Sequence, residues 1–240
     1  MYLTRFRFNT ARSGARRLLG SPHLLHGAVN MSFPQLPARD AQGPRVLWRV
    51  DRDNQTQTQL YIVSPSRPDL THLVEQAGWP TLDEPGWATF TYGEFLEALG
   101  TGDTWAFRLT ANPVHNIRLP QDAPGDRTRR TAHVTPHYQM RWLLEREGKS
   151  GFEVLRKPAD KQLTQSGDEH ELIVRDQRPL QFGGSIKNQR RNDVRLIRVT
   201  YDGRLRITDA DVFRRTLTQG LGKAKAYGCG LMTLTPVSTR

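Results

Sequence analysis

Tyr2-Leu-Thr-Arg-Phe-Arg-Phe8, then a basic turn, then Ser21-Pro-His-Leu-Leu-His26: these first residues decide how the rest of the chain is read. In the first segment Phe6 and Phe8 alternate with Arg5 and Arg7, the period of a half-buried strand. Ser13 to Leu19 suits a short basic helical turn. Ser21 followed by Pro22 has the form of an N-cap with proline at the first helical position, which predicts a helix to about Met31. A strand feeding helix so early asks for partner strands. Arg45–Val50 and Thr58–Val63 supply two, Tyr92–Leu99 a second helix, and Thr104–Leu109 a further strand. Pro65 to Thr91 is punctuated by Pro and Gly and has no clear period. The first half therefore reads β-α-β-β-α-β.

The second half repeats the pattern. Arg127–Val134 reads as a strand, and Thr135-Pro136 opens a helix to about Glu147 with Met140, Leu143 and Leu144 on one face. Gly151–Leu155 is a short strand, and Arg156–Gln165 a polar loop. Val194–Tyr201 and Arg204–Ile207 around Asp202-Gly203 read as a hairpin. Thr208-Asp-Ala-Asp211 approximates a capping box for a helix to about Gln219, and Leu231–Thr235 closes the pattern. The expectation is an α+β protein of two tandem ferredoxin-like (RRM-like) domains, residues 1–118 and 119–240.

The 240 residues carry 35 Lys+Arg against 24 Asp+Glu, a formal charge of +11. Only six of the 35 are lysine, so arginine supplies the surplus. Its planar fork suits phosphate oxygens and guanine edges. Cys229 stands alone, which excludes an intramolecular disulfide and a cysteine-rich zinc site. No stretch approaches the ~20 apolar residues of a membrane span. The reading is of a soluble cytoplasmic protein with nucleic acid as the favoured partner and no membrane.

Three features bear on chemistry. His23 and His26 lie three apart at the start of one helix, where orphan N–H groups favour a nearby phosphate and an imidazole can move protons. A surface pair or a histidine satisfied by a carbonyl is the plainer interpretation, and the remaining histidines offer no zinc spacing. Gly220-Leu-Gly222-Lys223-Ala-Lys225-Ala-Tyr-Gly228-Cys-Gly230 places four glycines and two lysines between a helix and a strand. Such a loop could approach a phosphate closely, or it could be a helix cap and an ordinary turn. It lacks the Gly-Lys-Ser/Thr ending of a Walker loop. Basic clusters recur at Arg16 and Arg17, at Arg127, Arg129 and Arg130, and at Lys187, Arg190, Arg191 and Arg195; one such run is ordinarily a solvated face, and their recurrence favours a phosphate track.

Together these residues resemble the CasE family, the precursor-RNA endoribonucleases of type I-E CRISPR systems. The resemblance covers nearly the whole chain. It rests on Met1-Tyr-Leu-Thr4, the basic turn before Pro22, His26, Phe107-Arg-Leu-Thr-Ala-Asn-Pro113, the Trp142-Leu143 helix and the ending Gly220-x-Gly222…Lys225-x-x-Gly228-Cys-Gly-Leu231. It implies two ferredoxin-like domains and cleavage at the 3′ base of a CRISPR repeat hairpin. The mature crRNA would stay bound, and the other Cascade subunits would be partners of a chain that is monomeric when isolated. It implies His26 as the catalytic histidine, no cofactor or metal, and the glycine loop with second-domain basic residues gripping RNA. Two positions depart: His23 stands where the family has tyrosine, and Thr110 where arginine is usual. His26 would move a proton to the leaving 5′-oxygen or from the 2′-hydroxyl, with His23 a candidate for the opposite role. Rival readings are a non-catalytic RNA-hairpin-binding protein with tandem RRM-like domains, a metal-dependent nuclease and a DNA-binding regulator.

Overall fold

The computed structural model describes residues 1–35, 43–52, 57–79, 86–118, 128–164, 167–182 and 194–237. Strand β1 (Tyr2–Phe8) buries Thr4, Phe6 and Phe8 and exposes Arg5 and Arg7. Helix α1 (Ser13–Gly20) turns its Ala15 and Leu18 inward. Ser21 Oγ then accepts from Leu24 N, and Pro22 occupies the first helical position of α2 (Pro22–Asn30), as predicted. β2 (Leu47–Arg52), β3 (Thr58–Ser64), α3 (Thr71–Ala77) and β4 (Trp87–Thr91) complete the first unit. Its sheet runs β2-β3-β1-β4 with every described pairing antiparallel, the strand order of a ferredoxin-like unit.

The chain continues through α4 (Tyr92–Ala98), β5 (Thr104–Ala111), β6 (Val114–Ile117), β7 (Arg129–Ala132), α5 (Pro136–Glu147), β8 (Phe152–Val154), β9 (Leu172–Phe182), β10 (Val194–Ile207), α6 (Ala210–Gln219) and β11 (Met232–Pro236). Here the order is β11-β5-β10-β8, the same arrangement again, with β9 added beside β10. β6 and β7 form a separate ribbon. The α+β class and the tandem ferredoxin-like repeat are thus as expected.

Three expectations change. The sequence reading places Thr104–Leu109 in the first unit, but its hydrogen bonds run to β10 and β11. Sheet membership therefore passes from one unit to the next between Thr91 and Thr104, and we propose that the boundary falls there rather than at 118/119. The Asp202-Gly203 turn does not form: β10 runs straight through it. Asp202 is held by Arg108 and Arg175. Gly203 serves close approach instead, since a Cβ there would lie 2.4 Å from Glu171 O and 3.0 Å from the Phe107 ring. Finally, α6 is capped by Asp209, whose carboxylate accepts from Val212 N, not by Thr208.

Two cores result. Phe6, Phe8, Leu18, Leu25, Val29, Trp48, Leu60 and Ile62 fill the first. The second gathers Leu109, Trp142, Phe152, Tyr201 and Phe213, yet also takes Leu47 and Val63 from the first sheet. Strand β2 explains this, because alternate residues face opposite ways. Trp48 points into the first core, while Leu47 and Arg49 point at the second unit. Arg49 is 1% exposed. It forms a bidentate pair with Asp51 and donates to Arg108 O (2.8 Å), Leu231 O (3.2 Å) and Thr233 Oγ1 (2.8 Å). One buried guanidinium thus ties the edge of the first sheet to β5 and β11 of the second.

Candidate active site at the junction of the two units

α2 carries both histidines. His23 is exposed in the first turn, and His26 is half-buried in the second. Asn30, one turn on, places Nδ2 3.2 Å from His26 Nε2. With the amide as donor, Nε2 is the acceptor and the neutral ring carries its proton on Nδ1. Sequence reasoning did not single out Asn30, although its i+4 spacing from His26 signals the contact.

The glycine-rich loop of the second unit lies beside this helix. Its short 3-10 turn, Lys225–Tyr227, packs against α2 and β2. Gly220, Gly222, Gly228 and Gly230 all have positive φ. Their neighbours show what the glycines do. A Cβ on Gly228 would lie 2.6 Å from the Trp48 ring, one on Gly220 2.7 Å from Leu47, and one on Gly222 2.9 Å from Trp142. The glycines let the loop lie flat on the first sheet and on α5, and so seat the Lys225–Tyr227 turn next to α2. Lys225 Nζ donates to Gly222 O at 2.8 Å. Burial, with Arg45 and Lys223 nearby, holds its ammonium below the usual lysine range. Lys223 is exposed. Tyr227 meets Phe182 at the end of β9 edge-on, centroids 4.6 Å apart. Arg45 and Tyr227 belong to this group and were missed by sequence reasoning; Tyr227 lies inside the quoted loop.

The other predicted RNA contacts are dispersed. Arg17 is exposed on α1, whereas Arg16 donates to Ala11 O (2.5 Å) and Thr10 O (3.2 Å) and so serves the turn before α1. Arg129 and Arg130 are exposed on β7, opposite Ile117 and Asn116. Arg195 is exposed on β10 opposite Gln181. Arg127, Lys187, Arg190 and Arg191 lie outside the described residues. Among the described residues no group of three or more His, Cys, Asp or Glu side chains converges as metal ligands would, and no helix is long and apolar enough to cross a membrane.

The helix that bears His26 and the turn that bears Lys225 and Tyr227 thus pack together where two ferredoxin-like units dock, on a chain of +11 charge. That defines a class: tandem ferredoxin-like proteins with a histidine-bearing helix and a glycine-rich basic loop at the unit junction. A family model described as CRISPR associated protein matches residues 1–236, and the chain belongs to that family, within it to the CasE type. It is 28% identical over 237 residues to the CRISPR-associated endoribonuclease Cse3 of Thermus thermophilus, covering 98% of this chain and 100% of that protein. It is 30% identical over 135 residues to the Cascade subunit CasE of Escherichia coli, covering 55% and 57%. The solved structure of Thermus thermophilus Cse3 bound to an RNA representing a pre-cleavage complex superposes with a TM-score of 0.72 at 25% identity, over 98% of each chain.

Proposed function

We propose that this chain is a metal-independent endoribonuclease that cuts CRISPR repeat hairpins in precursor crRNA and stays bound to the mature crRNA as a subunit of a Cascade assembly. The observation that carries this reading is the placement of half-buried His26 on α2, with Asn30 on its ring, against the loop that presents Lys225. RNA brings its own nucleophile, the 2′-hydroxyl beside each phosphate. The protein has to align that oxygen with the phosphorus and the departing 5′-oxygen, and to move protons. With Asn30 displaced from Nε2 by the substrate, His26 would take the proton from the 2′-hydroxyl or, once protonated there, give one to the 5′-oxygen, and exposed His23, one turn away, is the candidate for the opposite transfer. Lys225, Lys223 and Arg45 gather positive charge where the phosphorane's negative charge develops. The Cse3 relative is named an endoribonuclease and its solved complex holds RNA before cleavage, which supports the same chemistry here.

The test is incubation with the repeat RNA of the chain's own CRISPR array in excess chelator. The expected products end in a 2′,3′-cyclic phosphate and a 5′-hydroxyl, and a 2′-deoxy nucleotide at the cut blocks the reaction. His26→Ala slows cleavage by about 10²- to 10⁴-fold and leaves RNA affinity in place. Binding without any cleavage by the native chain would identify a non-catalytic hairpin-binding protein instead.

A further inference from the structure

Beyond the glycine loop the same face of β2 leads to a second basic feature. Trp48, Val50 and Arg52 share that face, and Gly228 packs on Trp48. About 7 and 13 Å further along the strand, Val50 and Arg52 line a small pocket with Thr110, Asp176, Arg178, Arg198 and Thr200. Arg52 comes from the first unit; Arg178 and Arg198 come from β9 and β10 of the second. Arg178 and Arg198 are direct cross-strand partners, an arrangement that is unfavourable for like charges. Among the described residues none of these three guanidiniums is in an ion pair. Asp176 is the one carboxylate lining the pocket, and it is already paired with Arg175.

The backbone is shaped around this cluster. β9 bulges opposite the Arg198–Thr200 step, and Asp176 sits there at φ 54°. Bulges re-aim neighbouring side chains. Burial and mutual repulsion hold Arg198 and Arg52 below the usual arginine range. Thr110 and Thr200 set their hydroxyls 3.2 Å apart on the pocket wall. Three positive forks, two hydroxyls and one engaged carboxylate make a receptor for a compact, multiply hydrogen-bonding anion.

We propose that Arg52, Arg178 and Arg198 hold one phosphate of the bound RNA strand, outside the cleavage site, in a pocket that is complete only when the two units are docked. This rests on the RNA-cleaving reading above and adds to it a contact that none of the expected RNA-binding residues supplies.

The experiment uses the full chain, Arg178→Gln and the Arg178→Gln/Arg198→Gln double variant. Affinity is measured against repeat RNA with a 2′-deoxy nucleotide at the cut, over a series of salt concentrations. Melting is measured with and without inorganic phosphate at constant ionic strength. The expected result is an affinity loss of about tenfold per guanidinium removed, a salt slope shallower by about one, and a single-turnover rate at saturating RNA equal to the native one. Phosphate raises the native melting temperature and not that of the double variant. Unchanged affinity and slope in either variant overturn the proposal. Stabilisation by free phosphate with unchanged RNA affinity also overturns it, because the pocket then takes a loose anion. A native chain that binds no repeat RNA would overturn the function proposed above, and the melting arm would still report on the pocket. Arg178 is exposed, so its single variant reads binding without disturbing a core.

Discussion

Gly228→Ala examines the seating of the loop on the first sheet. Gly228 is buried with φ 76°, in the left-handed region, where a Cβ costs about 1–2 kcal/mol. That Cβ would also lie 2.6 Å from one atom of the Trp48 ring and 3.0 Å from two more. Trp48 is 1% exposed and has no room to withdraw. Overpacking a filled core costs about 1–3 kcal/mol. The two effects act on the same residue, so together they predict a loss of about 2–5 kcal/mol. For a chain of this size each kcal/mol lowers the melting temperature by about 2–4 °C. The assay is chemical denaturation followed by tryptophan fluorescence, alongside Gly27→Ala as internal control. Gly27 lies within α2 with open space where a Cβ would go, and alanine there should stabilise by about 0.5–1 kcal/mol. A cost below 1 kcal/mol at Gly228, or equal effects at the two glycines, would refute the claim that the loop is seated by close packing on Trp48.

Arg49→Ala leaves Asp51 half-buried without its bidentate partner and three acceptors of the second unit unmet, so denaturant titration should show a loss of about 3–5 kcal/mol; Arg49→Lys should recover little, lacking the fork. Burial raises the Glu147 carboxyl above its usual range. The protonated form is the one the fold favours, so that contribution is full below the ordinary glutamate range and is lost as pH rises through the raised value; Glu147→Gln, still able to accept from Val154 N, should melt higher than the native chain at pH 7 and draw level at pH 4. Burial pushes the Cys229 thiol up to about 12, so a thiol reagent at pH 8 should label it only as fast as the chain unfolds; rapid labelling of the folded protein would contradict the packing around Gly228 and Gly230.

Much of the architecture was legible because its signals are local. β1, α2 and α6 announce themselves by alternation, by Ser21-Pro22 and by the polar residues before Val212. α3 and β9 were not legible. α3 has seven residues and buries only Leu73 and Ala77, too few to show a period. β9 contains Pro179, which in isolation argues against a strand, yet it is added at the side of β10, where a missing N–H is tolerated. Asp202-Gly203 misled for the opposite reason: a strong local turn signal yielded to the tertiary demand for a residue without a side chain beside Phe107. At the site, helix capping places His23 and His26 on one helix, the family resemblance singles out His26, and the glycine loop stands out by its composition. The reason for the glycines was not visible, since it lies in Leu47, Trp48 and Trp142. Nor could Arg49 be found, because its carbonyl acceptors are 59 and 182 residues away in the chain.

The dependence of the site on strand β2 follows from its two faces. Trp48 turns one way, to carry the first core and receive Gly228; Arg49 turns the other way, to bind β5 and β11. Slipping β2 by one residue against β3 would exchange them, burying the Arg49–Asp51 pair among Phe6, Leu60 and Ile62 and presenting an indole to Arg108 O and Thr233. Burying that charged pair in the apolar core, away from the acceptors of the second unit, costs several kcal/mol, so the register in which Trp48 faces Ile62 across the pair is strongly selected. That same register sets where the Lys225–Tyr227 turn comes to rest against α2. The placement of Lys225 beside the helix bearing His26 is therefore a consequence of hydrophobic patterning in β2, and the chemistry proposed for the junction depends on the docking of the two units.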